Sequence, residues 1–420
     1  MIKIKRALIS VYNKKNVELL VPFFIKEKIE VYSTGGTYKY LKKFSSEFKL
    51  TEISNLTSFP EILDGRLKTL HPIIYAGILA KKNDITHTKE LAKLNIEVFD
   101  LVIVNLYPFE RTIMNKKNSF SDCIEQIDIG GPTLIRAAAK NFQSIVILSN
   151  PEQIKLFCNQ ITKTNSISLN MRKQLAKEAF KLTSYYESVI ATWFSKDDTD
   201  FLNHNSSLPM KKLNNLRYGE NPHQKASLYR YGSNKISQIS GKEISYNNVN
   251  DLDVAINLAY EFNDHSCVIV KHGNPCGVAT DSKQKKAYLN ALETDPVSAF
   301  GGVVAFNKSL DFATAKKINS TFTELVIAPK ISKKSEILLS KKKNLILLEY
   351  SPDKQAKIRY EIKTTKNFLL AQEVNDRQVK TTDLQLVTNG KLTDEQISDM
   401  FFGFTICKYL NSNAIVLVEK

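Results

Sequence analysis

Two ionisable residues of different character, Lys271 and His272, stand side by side in Cys267-Val268-Ile269-Val270-Lys271-His272-Gly273-Asn274-Pro275-Cys276-Gly277. The apolar run Cys267 to Val270 predicts a buried strand, and Gly273, Pro275 and Gly277 turn the chain directly after it. Ligands of α/β proteins dock outside the carboxyl ends of such strands. An imidazole with an unperturbed pKa of about 6.5 can take a proton there, and an adjacent ammonium can steady developing charge. Such a pair burdens a core and serves a reaction, so the chain reads as an enzyme.

Four further segments carry chemistry. Thr34-Gly35-Gly36-Thr37 follows a strand-like run and precedes a helical one, a place where backbone N–H groups and hydroxyls can approach a phosphate; a plain turn is the alternative. Gly65-Arg66-Leu67-Lys68-Thr69-Leu70-His71-Pro72 gathers two cations, a hydroxyl and an imidazole. In an extended segment Arg66 and Lys68 point the same way, spaced to grip a phosphate or an oxyanion, unless the stretch is only a solvated basic loop. Asn105-Leu106-Tyr107-Pro108-Phe109 closes an apolar strand and sets the Tyr107 phenol at the carboxyl edge of a sheet. Ile127-Asp128-Ile129-Gly130-Gly131-Pro132 opens a helix bearing Arg136 and Lys140. Asp128 reads there as a helix cap, and the Gly-Gly start as an anion site.

These residues need a scaffold of some size. A chain of 420 residues, 43% hydrophobic and 24% charged, suits a globular protein of two or three domains. No apolar run approaches the roughly 20 residues that span a bilayer. Met1 to Ile9 is too short in its apolar part for a signal sequence and reads as a first strand. Five cysteines without metal-type spacing argue against disulfides and structural zinc, and so for a cytoplasmic protein. The net charge of +16 is spread along the chain without a nucleic-acid-binding pattern, and suits anionic small molecules better than nucleic acid.

Along the first 150 residues strands alternate with helices: Arg6 to Val11, Glu30 to Ser33, Val98 to Asn105 and Ser144 to Leu148 as strands, Val17 to Lys28 as a helix. That rhythm predicts a largely parallel, covered sheet. Met171 to Phe194 predicts a long amphipathic helix whose stripe (Leu175, Ala179, Leu182, Tyr186, Val189, Trp193) faces a core or a second copy. The polar stretch Ser195 to Leu208 predicts a boundary. Beyond it, helices are expected at Asp251 to Phe262 and at Asp394 to Leu410 with Thr393 as N-cap. Strands are expected at Cys267 to Val270, Gly302 to Phe306, Leu345 to Leu348 and Ile415 to Lys420.

Together the four segments of the first half resemble the cyclohydrolase part of the bifunctional purine biosynthesis family. That family joins an inosine monophosphate (IMP) cyclohydrolase to a formyltransferase acting on aminoimidazole carboxamide ribonucleotide (AICAR). The resemblance implies a phosphate and base site at Ser10, Lys14, Ser33, Thr34, Gly35, Gly36, Thr37, Arg66, Lys68, Thr69, Asn105, Gly130 and Gly131. It implies ring closure by Lys68, Tyr107, Asp128 and Lys140. In the second half the resemblance rests on Leu216-Arg217-Tyr218-Gly219-Glu220-Asn221-Pro222-His223-Gln224, on Lys271-His272, and on Asp295-Pro296-Val297-Ser298-Ala299-Phe300-Gly301-Gly302. It makes Lys271 and His272 the formyl-transfer pair. Substrate contacts are expected at Arg217, Tyr218, His223, Asn274, Ser298, Phe300, Gly301, Glu324 and Asn413.

The resemblance implies an α/β fold: a methylglyoxal-synthase-like domain over 1–198, then a cytidine-deaminase-like region over 199–420, its last part incomplete. It also implies 10-formyltetrahydrofolate as co-substrate, no metal, and a homodimer that binds AICAR, its formylated product FAICAR, IMP and folate. Family members continue past the segment matching Asn413 with a Gly-rich stretch and a Phe-Pro-Phe stretch, so the final strand is expected to leave an apolar edge uncovered. Alternatives are a chain active only as cyclohydrolase and a nucleotide-binding regulator without catalysis.

Overall fold

The structure, a computed structural model, describes residues 2–44, 47–115, 117–164, 166–195, 205–230, 235–351 and 360–419. Two compact units divide the chain, Met1–Pro209 and Met210–Lys420.

In the first unit, short runs of Val, Ile and Leu make strands covered on both faces, as a parallel sheet requires. They are β1 (Arg6–Val11), β2 (Glu30–Ser33), β3 (Leu50–Glu52), β4 (Leu101–Asn105) and β5 (Val146–Leu148). All pair in parallel, in the order β3-β2-β1-β4-β5. Leu8, Ile9, Ile103 and Ile147 are buried along β1, β4 and β5, each contributing about 1.5–3 kcal/mol by the transfer of its side chain from water. The winding reverses between β1 and β4, which leaves a crevice beyond their carboxyl ends.

The long helix spans Leu169–Phe194, begun by the Ser168 hydroxyl accepting from the Met171 N–H. Of its stripe, Leu175, Ala179, Tyr186 and Val189 are buried in this unit. Trp193 packs edge-on to Phe109 and stacks on Phe120, so the stripe serves the core.

The second unit holds a mixed sheet of six strands: β8 (Lys235–Ser240), β9 (His265–Lys271), β10 (Asn274–Asp281), β11 (Val303–Phe306), β12 (Leu325–Ala328) and β13 (Ile346–Ser351). Their order is β10-β9-β11-β12-β13-β8, with parallel pairing only at β11/β12 and β12/β13. Two antiparallel pairs stand apart from it: β6 (Lys211–Leu216) with β7 (Ala226–Arg230), and β14 (Tyr360–Thr364) with β15 (Leu369–Glu373).

Three expectations change here. The helix expected from Asp251 runs over Tyr246–Ala259, because Ser245 and Asn248 form a capping box one and a half turns earlier. Leu252, Ala255, Ile256 and Ala259 are buried along it as the pattern requires. Gly273, Pro275 and Gly277 do not make one loop. His272 and Gly273, both at positive φ, are a two-residue hairpin turn, while Pro275 and Gly277 lie in edge strand β10 about a bulge. Finally, Ile415 to Val418 is not paired as a strand. Ile415 and Leu417 are exposed while Val416 and Val418 pack inward, Val418 against Gly403 of the Asp394–Cys407 helix. Thr393 caps that helix as expected, in a capping box with Gln396.

Candidate functional site

The crevice between β1 and β4 opens into a cleft of ≈ 580 Å³. Ser10 and Lys14 enter from the end of β1, Thr34, Gly36 and Thr37 from the end of β2, and Asn105 and Tyr107 from the end of β4. Arg66, Lys68 and Thr69 line another wall, and Asp128, Gly130 and Gly131 the start of the Gly130–Lys140 helix.

The first wall is tied together by its own hydroxyls. Ser10 Oγ lies 3.0 Å from Thr34 Oγ1, and the Thr37 hydroxyl bridges the Val11 N–H and C=O. Asn105 accepts from the N–H groups of Tyr12 and Asn13 at 2.8 and 2.9 Å and donates to the Asn13 carbonyl, so it shapes the loop beside the cleft. Lys14 Nζ rests on the Tyr12 carbonyl at 3.1 Å.

Asp128 is the best-supported side chain of the site. Its Oδ1 accepts the Gly131 N–H at 2.7 Å, and its own N–H donates to the Tyr186 hydroxyl at 2.8 Å. Burial raises its pKa above the usual carboxylate range, against the pull of the Gly131 and Tyr107 N–H groups and of Lys68. A Cβ on Gly131 would stand 2.4 Å from Asp128 Oδ2, so only glycine admits the carboxylate at this place. Asp128 therefore caps the helix start and faces the cleft at once. Burial pushes the Tyr186 phenol up to about 12, which keeps it a neutral partner beneath Asp128.

Arg66 and Lys68 do not share an extended segment. Leu63, Asp64 and Gly65 take positive φ in succession, and Ile62 bridges Leu67 antiparallel. This hairpin sends Arg66 to Glu125 (Nε–Oε2 3.2 Å) and sets Lys68 Nζ 2.9 Å from Glu61 Oε1. Burial works against the Lys68 ammonium, but Glu61, with Tyr107 and Asp128, outweighs it and holds the pKa above the usual lysine value.

Three expected residues stay outside. Ser33 is fully buried, its hydroxyl donating to the Ile9 carbonyl at 2.8 Å. Gly35 opens the Gly35–Leu41 helix at φ 33° and does not line the cleft. Lys140 is an exposed residue at the far end of the Gly130–Lys140 helix. Ten residues at 1.5 Å rise put it about 15 Å from Gly130. A place among the ring-closure residues is not where this helix puts Lys140.

In the second unit, strand register assembles a row of polar groups at one end of the sheet. Val303 pairs with both Val270 and Leu325, so Lys271, Gly302 and Glu324 follow one another across β9, β11 and β12. Lys271 Nζ donates to the Phe300 carbonyl at 2.6 Å, which joins it to the turn holding Ser298 and Gly301. Asn274 begins β10 opposite Lys271. Glu324 pairs with Lys242 at 2.6 Å.

His272 is exposed at the hairpin tip, held at φ 56°. Non-glycine residues rarely adopt that conformation without a reason. Asp251 supports the turn, its Oδ1 accepting the Gly273 N–H at 2.7 Å; burial raises its pKa despite this bond and the nearby imidazole.

Arg217, Tyr218 and His223 lie on the separate β6–β7 hairpin. Arg217 stacks on the Tyr218 ring at 4.8 Å, and the Glu220 carbonyl accepts from Asn247, near the start of the helix that bears Asp251. Asn413 is exposed beyond the Asp394–Cys407 helix, and strand register does not draw it into the Lys271 row.

Sequence reading missed Glu61, Glu125, Tyr186 and Asp251. Tyr186 was legible only as core stripe. Nothing local links Glu61 to Lys68 until the turn at Leu63–Gly65 is known. Among the described residues, no group of three or more His, Cys, Asp or Glu is placed to hold a metal, and no helix is long and apolar enough to cross a membrane.

Family models and sequence relatives agree on one relationship. A family model described as AICARFT/IMPCHase bienzyme matches residues 138–420, and one described as MGS-like domain matches residues 17–133. The bifunctional purine biosynthesis protein PurH of Caldicellulosiruptor saccharolyticus is 43% identical over 428 residues, covering 99% of this chain and 82% of the relative. Its counterpart in Acetivibrio thermocellus is 42% identical over 426 residues, with the same coverage. A solved structure titled "Crystal structure of ForH" aligns with 46% of this chain and 98% of its own at 28% identity and a TM-score of 0.42.

Proposed function

The chain belongs to the AICARFT/IMPCHase bienzyme family, and from that premise we propose that each unit houses one of the family's two reactions. It is a bifunctional enzyme of purine biosynthesis, an AICAR formyltransferase and an IMP cyclohydrolase. The family draws its formyl group from a formyl-folate; here the donor is 10-formyltetrahydrofolate, and both sites take anionic nucleotides.

The observation that carries the assignment is the convergence of Lys68, Tyr107 and Asp128 on one cleft at the switch point of a parallel sheet. In ring closure the carboxamide nitrogen of FAICAR loses one proton and adds to the formyl carbon. The formamido nitrogen then loses its proton and forms a double bond to that carbon, and the formyl oxygen departs as water with the two protons. Lys68 stabilises charge on that oxygen. Asp128 takes the carboxamide proton and returns it to that oxygen, and Tyr107 protonates the departing hydroxyl and regains its proton from the formamido N–H. Little covalent work falls to the protein, so orientation dominates. Ser10, Thr34 and the Gly36 loop support a phosphate at the opposite wall.

Formyl transfer belongs to the Lys271 row. His272 removes the proton of the attacking amine, and Lys271, already aimed at the Phe300 carbonyl, steadies the formyl oxygen or protonates the folate nitrogen. A homodimer completing this site and a cytoplasmic location complete the reading. Two half-reaction assays test it. His272→Ala should lose formyl transfer and keep closure of supplied FAICAR, and Lys68→Met should do the reverse. Joint loss in soluble, folded variants would remove the division of labour.

A further inference from the structure

We propose that Glu61 is the positioning residue for Lys68: the Ile62–Leu67 hairpin is a clip that holds the Glu61 carboxylate against the lysine and aims its ammonium into the cleft. The proposal rests on the cyclohydrolase reading of that cleft and extends it to a residue outside the lining.

The clip starts from backbone geometry. The Ile62 N–H donates to the Leu67 carbonyl at 3.2 Å and the Gly65 N–H to the Ile62 carbonyl at 3.2 Å. Glu61 and Lys68 are the next pair outward from the Ile62–Leu67 bridge, where facing side chains meet. The loop that closes this bridge needs three successive residues at positive φ, and two of them, Leu63 (55°) and Asp64 (53°), are not glycine. Such conformations persist only where surrounding structure enforces them, and they concentrate at functional sites.

Gly65 supplies the space. A Cβ there would stand 2.6 Å from Glu61 Oε1 and 2.9 Å from Lys68 Nζ, so the ion pair lies directly on its bare Cα. One face of Lys68 is thus occupied by Glu61, and the other is left for Tyr107 and Asp128, whose negative partial and formal charge reaches it across the cleft. Lys68 is only partly exposed, so burial alone favours its uncharged form. An amine without its proton could not donate charge to a developing oxyanion. Glu61 supplies the opposing charge without contacting the reacting atoms.

The sign of the consequence is fixed. A working ammonium is present below its pKa and lost as pH rises through it. Removing Glu61 leaves burial less opposed, so the alkaline limb of ring closure moves to lower pH. The test measures kcat and KM for FAICAR from about pH 6 to about pH 11.5, past the usual lysine value, in the full chain, for wild type, Glu61→Gln, Glu61→Ala and Gly65→Ala. Expected are a limb about one unit lower in both Glu61 variants, a kcat at neutral pH reduced roughly tenfold in Glu61→Ala, and a KM within about threefold. Formyl transfer by the same preparations should be unchanged, which also reports that they are folded. Gly65→Ala should lower kcat by displacing the pair.

An unmoved alkaline limb in both Glu61 variants, whether kcat holds or falls equally at every pH, would overturn the proposal. If instead the wild-type chain failed to close FAICAR to IMP, the cyclohydrolase reading itself would fall.

Discussion

Gly131→Ala is the smallest change that should separate stability from ring closure. Alanine is the better helix former by up to about 1 kcal/mol, and Gly131 sits in the first turn of the Gly130–Lys140 helix. Its new methyl would stand 2.4 Å from Asp128 Oδ2 and 2.8 Å from Cγ, well inside contact distance. The carboxylate must swing away and give up the 2.7 Å bond from the Gly131 N–H. A hydrogen bond to a charged group contributes about 1.5–3 kcal/mol, and 1.36 kcal/mol is about a factor of ten in rate. Closure should therefore fall by roughly 10- to 150-fold, in keeping with the cost of about 1 Å misplacement at a reacting group. The assay follows IMP formation from supplied FAICAR, with formyl transfer and the melting temperature recorded on the same sample. Melting should move by no more than a few degrees. Closure within twofold of wild type would refute a catalytic Asp128 held by this contact.

Other consequences can be checked on similar samples. Asp128→Asn should abolish most closure yet stabilise the fold at neutral pH. Burial raises the folded-state pKa, so ionising this carboxyl weakens the fold as pH rises through that interval, and the variant's advantage should vanish below about pH 3.8. Denaturant melts at several pH values measure this. His272→Gly should cost formyl transfer at least about 100-fold while changing stability by no more than about 1 kcal/mol, because glycine accepts the φ of 56°. Arg172→Met should lower stability by about 3 kcal/mol and leave both chemistries alone when assayed well below the melting point. The buried guanidinium donates to the carbonyls of Phe142, Ile167 and Gln143, all orphaned by the change.

The parallel sheet of the first unit was legible because buried apolar runs and glycine turns report locally. The same holds for the Lys271–His272 position at a strand end. What escaped was set by turns whose backbone angles no composition announces. Leu63 and Asp64 at positive φ break an apparently extended basic segment and give each cation its own glutamate. The His272–Gly273 turn replaces a longer loop, and its support comes from Asp251, 22 residues away in sequence. Lys140, expected in the site from the resemblance alone, stands at the far end of an eleven-residue helix from the cleft of this unit. Tyr186 was read correctly as buried, but its bond to the Asp128 backbone depends on how the long helix packs.

The central claim is that one chain carries two chemically separable sites, with Lys68 in the closure site and His272 in the transfer site. Incubating the Lys68→Met chain with AICAR and 10-formyltetrahydrofolate tests it directly. FAICAR should accumulate at the wild-type rate while IMP formation falls to near the uncatalysed level. IMP formed at the wild-type rate, or no FAICAR from a folded chain, would contradict it.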